Sequence, residues 1–380
     1  MREKGSALEF SITGSIMDIP RAEWDRLFDQ GLIEGYGYHK TVEDAQLKEF
    51  SLYYLLAKRN GRLSAIIPFF VNDFSFTTLI QGPAQKFIQS VQTRFPRFLR
   101  TKIMFLGFPT AEELYLGINN QEDTPALLKE TLRYLYCFAK AQKVTTILFY
   151  NLTEKQRHLN RCLKRLGFVE MENFPNTVLT LGASSFDEYT ERLSKNMRKD
   201  LLRKLKKSQG LELHTETLDN ADAVIDEIYP LYLNNFGGSE VHFELLTPEF
   251  FKMISVNMPG KVKFFITRLG HKIVAFNLCL VQKDTCIDKF IGFDARAAKE
   301  YHLYFTTFRH NIDWCIKHGV RSYQMGITDY HPKIRLGATL VPLYVYARFV
   351  NPVLNFIGKP LARFIQPKNF DPVLKNLKNR

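Results

Sequence analysis

Long hydrophobic runs are missing from this chain of 380 residues. Ala65 to Val71, broken by Pro68, is among the longest, far short of the roughly 20 apolar residues of a membrane-crossing helix. Cysteine is scarce: Cys137, Cys162, Cys279, Cys286 and Cys315 are the five. They form no CxxC pair and no Cys/His set at zinc spacing, which excludes a disulfide scaffold and a zinc ribbon. They read as reduced, mostly buried thiols of a cytoplasmic protein. No Gly-x-Ser-x-Gly elbow occurs, so the sequence offers no serine nucleophile of that kind. The opening Met-Arg-Glu-Lys-Gly-Ser leads directly into a strand-like Leu8 to Ile12 and reads as lacking a secretory signal.

What is present is a well-stocked apolar alphabet, 45% hydrophobic and 13% aromatic. That is too apolar for a disordered chain, and the length suits two domains. The formal net charge is +13, and it is localised. Lys195 to Lys207 holds seven basic residues and one Asp. Asn351 to Arg380 holds Lys359, Arg363, Lys368, Lys375, Lys378 and Arg380 against Asp371. Such clusters suit polyanions or an anionic bilayer, or else form solvated faces.

Periodicity gives an α/β chain with an internal repeat. Asn60-Gly61 predicts a tight hairpin between Ser51–Lys58 and Arg62–Phe70. A helix is expected over Thr124 to Gln142, with Leu127, Leu128, Leu132, Leu135 and Phe138 on one face. Thr153 and Gln156 make a capping box. A helix ending in Leu166-Gly167-Phe168 is followed by a closing strand, Thr177 to Leu181. The second half repeats the order. A helix spans Asp187 to Lys207 and another Ala221 to Asn235. A hairpin turns at Leu269-Gly270-His271, a strand covers Thr285 to Phe293, and a helix covers Tyr304 to Lys317. Val341 to Phe349 closes that sheet. Phe138 to Phe149 aligns with Trp314 to Met325, and Arg165-Leu-Gly-Phe with Arg335-Leu-Gly-Ala. These correspondences imply a doubled α/β unit, with domains expected at 1–183 and 184–350 and a basic amphipathic tail at 351–380.

The order hairpin, strand, helix, strand, helix ending in Leu-Gly, strand resembles the GNAT acyltransferase fold. Two copies in one chain are similar to the Fem-type peptidyltransferases and the related peptidoglycan/cellulose biosynthesis acyltransferase-like domain. Leu193-Ser-Lys-Asn-Met-Arg-Lys-Asp-Leu-Leu-Arg-Lys resembles the opening helix of that domain. Ile291-Gly-Phe-Asp with Tyr304 resembles its donor-side strand and helix. Gly326 to Tyr330, Lys333 and Leu336-Gly-Ala resemble its closing stretch. The match covers about residues 186–350; the first half matches in element order. The resemblance implies two tandem mixed-sheet GNAT-like domains, the second carrying the chemistry. GNAT enzymes cradle the coenzyme A pyrophosphate on glycine-rich amides at a helix start. Here that stretch is Arg296-Ala-Ala-Lys299-Glu-Tyr301, without the glycines, as in Fem-type proteins, some of which use aminoacyl-tRNA.

The implied activity is transfer of an acyl group from acyl-CoA to an amine on a cell-envelope precursor: an amino sugar, a peptide or a lipid-linked molecule. The alternatives are Fem-type transfer from aminoacyl-tRNA, and a non-catalytic membrane- or RNA-binding protein that keeps the fold. N-acyl transfer needs a proton acceptor for the amine, stabilisation of the carbonyl oxygen, and a proton for the leaving group. No metal is expected. Asp294, at a strand end, is the leading candidate base, with Asp288 second; Asp294 could instead cap the next turn. Tyr330 is a candidate proton donor and His331 another base. Lys299, Arg296 and Tyr304 are candidates for donor binding. Lys333, Asn277, Arg198, Arg203, Glu240 and His242 are candidates for substrate binding. For Asn277, Tyr304 and the Glu240/His242 loop, ordinary structural roles compete. The tail has two readings: peripheral docking on the inner face of the membrane, and packing of its apolar stripe on the body.

Overall fold

The computed structural model describes residues 7–75, 100–208, 210–238, 244–361 and 371–377. The chain forms two compact units. The first comprises Met1–Phe174 with Pro342–Arg380, the second Pro175–Val341.

Strands are numbered in chain order. The first unit contains β1 (Glu9–Thr13), β2 (Phe50–Arg59), β3 (Arg62–Ser75), β4 (Arg100–Leu106), β5 (Gly117–Ile118), β6 (Thr146–Thr153) and β7 (Val169–Glu172). The second contains β8 (Asn176–Thr180), β9 (Leu213–Leu218), β10 (Val262–Leu269), β11 (Lys272–Gln282), β12 (Thr285–Phe293), β13 (Ser322–Gln324) and β14 (Thr339–Val341). The last, β15 (Leu343–Phe349), returns to the first.

The sheets share one topology. The first runs β1-β2-β3-β4-β6-β15-β7, with β5 beside β3; the second, read in the same sense, runs β9-β10-β11-β12-β13-β8-β14. In each, one pair along this path is parallel, β4 with β6 and β12 with β13. This is the duplication that the letters predicted. Its local signatures match too. Asn60 and Gly61 both take positive φ, 52° and 73°, as a tight hairpin requires. Gly167 and Gly337 end their helices at φ 86° and 91°, the left-handed cap that glycine adopts without a Cβ penalty.

The closing strands depart from expectation. The strand expected to close the first half is β8, and it pairs with β13 and β14 in the second sheet. The strand expected to close the second half is β15, and it pairs with β6 and β7 in the first. The boundary near residues 183 and 184 therefore shifts to Phe174/Pro175, and the tail belongs to the first unit. Apolar alternation fixes which face of a strand is buried, not which sheet receives it. Tyr346 of β15 sits in the first core with Phe69, Met104 and Phe149. Leu179 of β8 sits in the second with Phe308, Cys315 and Tyr323.

Smaller differences have local causes. The helix expected over Asp187 to Lys207 is two helices, Phe186–Glu191 and Lys195–Lys206. Ser194 breaks the run by capping the second, accepting from the Met197 amide at 3.4 Å. The capping box forms, with the Thr153 amide donating to Gln156 at 2.9 Å, but it opens a 3-10 turn, Glu154–Leu159, before the helix Asn160–Arg165. Of the cysteines, Cys279, Cys286 and Cys315 are buried, whereas Cys137 is exposed.

Gly292 of β12 lies under the helix Ile225–Gly238. A Cβ there would stand 2.7 Å from the Leu231 carbonyl carbon and 2.8 Å from the Tyr232 nitrogen. Backbone cannot swing aside as a side chain can. Gly292→Ala should therefore cost about 1–3 kcal/mol of stability, read by urea denaturation; an unchanged midpoint would mean the helix can lift without penalty.

Candidate functional site

The site grows from a parting of two strands in the second unit. β12 and β13 pair through Thr285–Ser322, Cys286–Tyr323 and Ile287–Gln324. β13 then stops, and the chain turns at Gly326, φ 74°. β12 runs on to Phe293. On its other side the register with β11 slips between Leu278–Phe290 and Cys279–Asp288, leaving Lys289 as the extra residue of a bulge. A bulge re-aims the side chains around it and is common beside active sites. Asp288 is the first residue past the last β13 pair and the residue before the bulge.

Its carboxylate is ringed by donors. Asn277 Nδ2 donates at 2.9 and 3.1 Å, and Tyr323 Oη at 2.9 Å. Cys279 Sγ lies 3.7 Å away. Asn311 Nδ2 in turn donates to Tyr323 Oη at 3.1 Å. The atoms packed around the carboxylate enclose it, while the residue as a whole keeps some accessible surface. Burial pushes the Asp288 carboxyl up to about 6, against the opposing pull of Asn277, Tyr323 and the Lys333 charge. Lys333 is itself buried and donates to the Met325 carbonyl.

Tyr304 completes the group. Its ring packs on Phe308, centroids 4.5 Å apart, and its hydroxyl is buried. Burial, then the Asp288 and Asp329 charges, raises its pKa well above the usual tyrosine value, so it is held as a neutral donor. Among the described residues its hydroxyl has no partner, and neither have Asn277 Oδ1 and Asn311 Oδ1. Buried polar atoms seldom go unpaired. Asn277 is bonded to Asp288, Asn311 to its partner Tyr323, and Tyr304 feels the Asp288 charge, so all three atoms belong to the surroundings of this carboxylate.

The other predicted residues lie elsewhere. Asp294 caps the helix Ala295–Tyr301: Oδ1 accepts from the amides of Arg296 at 3.1 Å and Ala297 at 3.0 Å, and Oδ2 pairs with Lys272 at 2.7 Å. The Ala297 amide and Lys272 hold its pKa below the ordinary value, which makes it a weak base. Tyr330 is buried and its hydroxyl donates to the Pro175 carbonyl at 3.1 Å, anchoring the approach to β8. His331 is exposed at the start of the helix Tyr330–Arg335. Arg296 and Lys299 are exposed; Arg296 lies 3.7 Å from Glu300. Arg198 and Arg203 project from the helix Lys195–Lys206, Arg203 pairing with Asp200 at 2.9 Å. Glu240 and His242 fall outside the described residues.

Tyr323, Asn311 and Cys279 were not singled out from the sequence. Asn311 did leave a signal: it stands three residues after Phe308 and four before Cys315, on the apolar stripe of its helix. Tyr323, a hydroxyl-bearing ring in a short buried strand, left less.

A splayed parallel pair, a bulge at the splay and an enclosed carboxylate, on one of two like sheets, define a protein of the tandem GNAT-like class. Solved structures agree on the fold. FemX superposes with a TM-score of 0.57 at 10% identity, covering 92% of this chain and 99% of its own. The tandem GNAT protein from the clavulanic acid biosynthesis pathway gives 0.54 at 11%, covering 91% and 99%. The chain belongs to the FemAB-like family, described as peptidoglycan biosynthesis/recognition, which it matches over residues 15–369. A curated relative from Mycobacterium tuberculosis (strain H37Rv), named 8-amino-7-oxononanoate synthase 2, is 22% identical over 322 residues. The match takes in 83% of this chain but only 42% of that protein's length.

The carboxyl of Asp288 should titrate with a midpoint of about 6 when followed by carboxyl-carbon NMR. Tyr323→Phe removes a donor to the ionised form and should move that midpoint upward. An unmoved midpoint would separate Tyr323 from the carboxylate.

Proposed function

We propose that the protein transfers an acyl or aminoacyl group onto an amine of a cell-envelope precursor, with Asp288 as the proton acceptor. The observation behind this is the enclosed carboxylate at the splay of β12 and β13, poised near neutrality by burial. The incoming amine forms the new N–C bond at the donor carbonyl and gives its proton to Asp288. The C–O or C–S bond to the carrier breaks, and the Tyr304 hydroxyl protonates the departing oxygen or sulfur, its own proton being restored as the one taken up by Asp288 is released. Asn277 and Tyr323 hold Asp288 in place, and they and the Lys333 charge moderate its pKa.

Asp294 favours one donor over the other. Its carboxylate already occupies the Arg296 and Ala297 amides, where a pyrophosphate would sit on a GNAT-type cradle. A second anion there would meet a like charge. The helix Lys195–Lys206 and the residue after it offer Lys195, Arg198, Lys199, Lys206 and Lys207, all exposed. Asp200, the acid within that run, is taken up by Arg203, Lys204 and Arg335. We therefore favour a polyanionic carrier, an amino acid esterified to tRNA. Coenzyme A, the donor expected from the sequence, is the second reading; Arg296, its side chain 92% exposed, and Lys299 would meet its phosphates.

Asp288→Asn should lower transfer at least about 100-fold. With the parent protein the rate should rise with pH through about 6 and then level, because the base works only when ionised. Asp294→Ala should lower the melting temperature and leave turnover within a few-fold, since it removes a cap. Transfer is read as labelled amino acid passing from charged tRNA into an envelope-precursor extract, with acetyl-CoA as the parallel donor. Full activity of Asp288→Asn would end the assignment. Binding of acetyl-CoA by calorimetry, without salt-sensitive tRNA binding, would move the donor to the second reading.

A further inference from the structure

The helix Pro352–Leu361 of the first unit is amphipathic the wrong way round for packing on its own body. Val353, Leu354, Phe356 and Ile357 are 63%, 50%, 80% and 55% exposed. The side it turns inward is Asn355 and Gly358. Asn355 Nδ2 donates to the Gly167 carbonyl at 3.2 Å, and its Oδ1 accepts from the Phe349 amide at 3.0 Å. A Cβ on Gly358 would reach within 3.0 Å of the Phe349 ring, so the absence of a side chain permits this close approach. Arg348 adds a bond to the Leu166 carbonyl at 2.7 Å. The helix is thus clipped by polar contacts, with its apolar side facing out.

The clip fastens it to the end of the helix Asn160–Arg165, whose surface is basic. A shallow groove of about 660 Å³ is lined by Arg157, His158, Asn160, Arg161, Lys164 and Arg165. Arg157 and Lys164 pair with Glu170, and Arg157 also with Glu154. Arg161 and Arg165 are exposed and have no ion-pair partner among the described residues. The segment 352–361 contains no acidic residue.

We infer that this surface docks on an anionic phospholipid bilayer, with Val353, Leu354, Phe356 and Ile357 entering the interface and Arg161 and Arg165 meeting headgroup phosphates. Charge complementarity selects this occupant. Self-association through the same face would bring two sets of unpaired arginines together, whereas a bilayer supplies both the anions and the apolar layer. Among the described residues no helix is long and apolar enough to cross a membrane, so the attachment is by one face. This surface stands independently of the acyl-transfer reading.

The test uses the full chain and vesicles of phosphatidylcholine with or without phosphatidylglycerol, read by co-sedimentation. Binding should require phosphatidylglycerol and weaken with salt. Phe356→Ser with Ile357→Ser, and separately Arg161→Glu with Arg165→Glu, should each reduce binding at least about tenfold. All four side chains are exposed, so circular-dichroism melts should match the parent. Failure of the parent to sediment with phosphatidylglycerol vesicles would overturn the proposal. So would a dimer in sedimentation velocity that the Phe356/Ile357 variant abolishes, which would assign the face to a second copy. Equal binding by the arginine variant would overturn the headgroup contacts.

Discussion

β12 and β13 run side by side for three residue pairs and then separate, and the candidate chemistry depends on that separation. A strand interior normally consumes its own backbone groups in ladders on both sides. Past Ile287 one side of β12 is released, and the bulge at Lys289 tilts the rest of the strand. A carboxylate at this spot can be enclosed by neighbours and still be approached along the open side. Burial raises its pKa while Asn277 and Tyr323 supply donors that keep the ionised form within reach. The balance needs both: desolvation alone would lock the acid protonated, and donors alone would leave it too weakly basic to take a proton.

Asp294 and Asp288 show how two carboxylates six positions apart divide their work by surroundings. Asp294 meets two backbone amides and a lysine, all favouring charge, and becomes a fixed part of the helix start. Asp288 meets side-chain donors inside a low-dielectric pocket and stays near its titration range. The same cap that makes Asp294 a poor base also occupies the amides of Arg296 and Ala297.

Local chemistry was plain in the letters wherever one residue fixes a dihedral or a cap. Asn60-Gly61, Thr153 with Gln156, and the Leu-Gly pairs at 166–167 and 336–337 each act on their immediate neighbours, and each appears where expected. The doubled order of elements came from these. The exchange of β8 and β15 was not legible, because both strands offer the same alternation and the choice of sheet rests on partners far along the chain. The surroundings of Asp288 were hidden for a similar reason. Its contacts, Asn277 and Cys279 on β11 and Tyr323 on β13, with Asn311 behind, come from three separate segments, so no window of sequence contains them. Asp294 sat at an obvious strand end, and of its two expected roles the cap is the one its amide contacts display.

The traded strands have a consequence for synthesis on the ribosome. The first sheet is missing an interior rib until residues 343–349 leave the exit tunnel, although its other strands are made by residue 172. The second sheet already holds all its ribs once residue 341 has emerged. Completion therefore runs inside out, the inserted unit maturing before the one that encloses it in sequence. From residue 172 until residue 343 a nascent chain carries a vacant slot between β6 and β7, an opening that chaperones, or a neighbouring chain's own final strand, could fill.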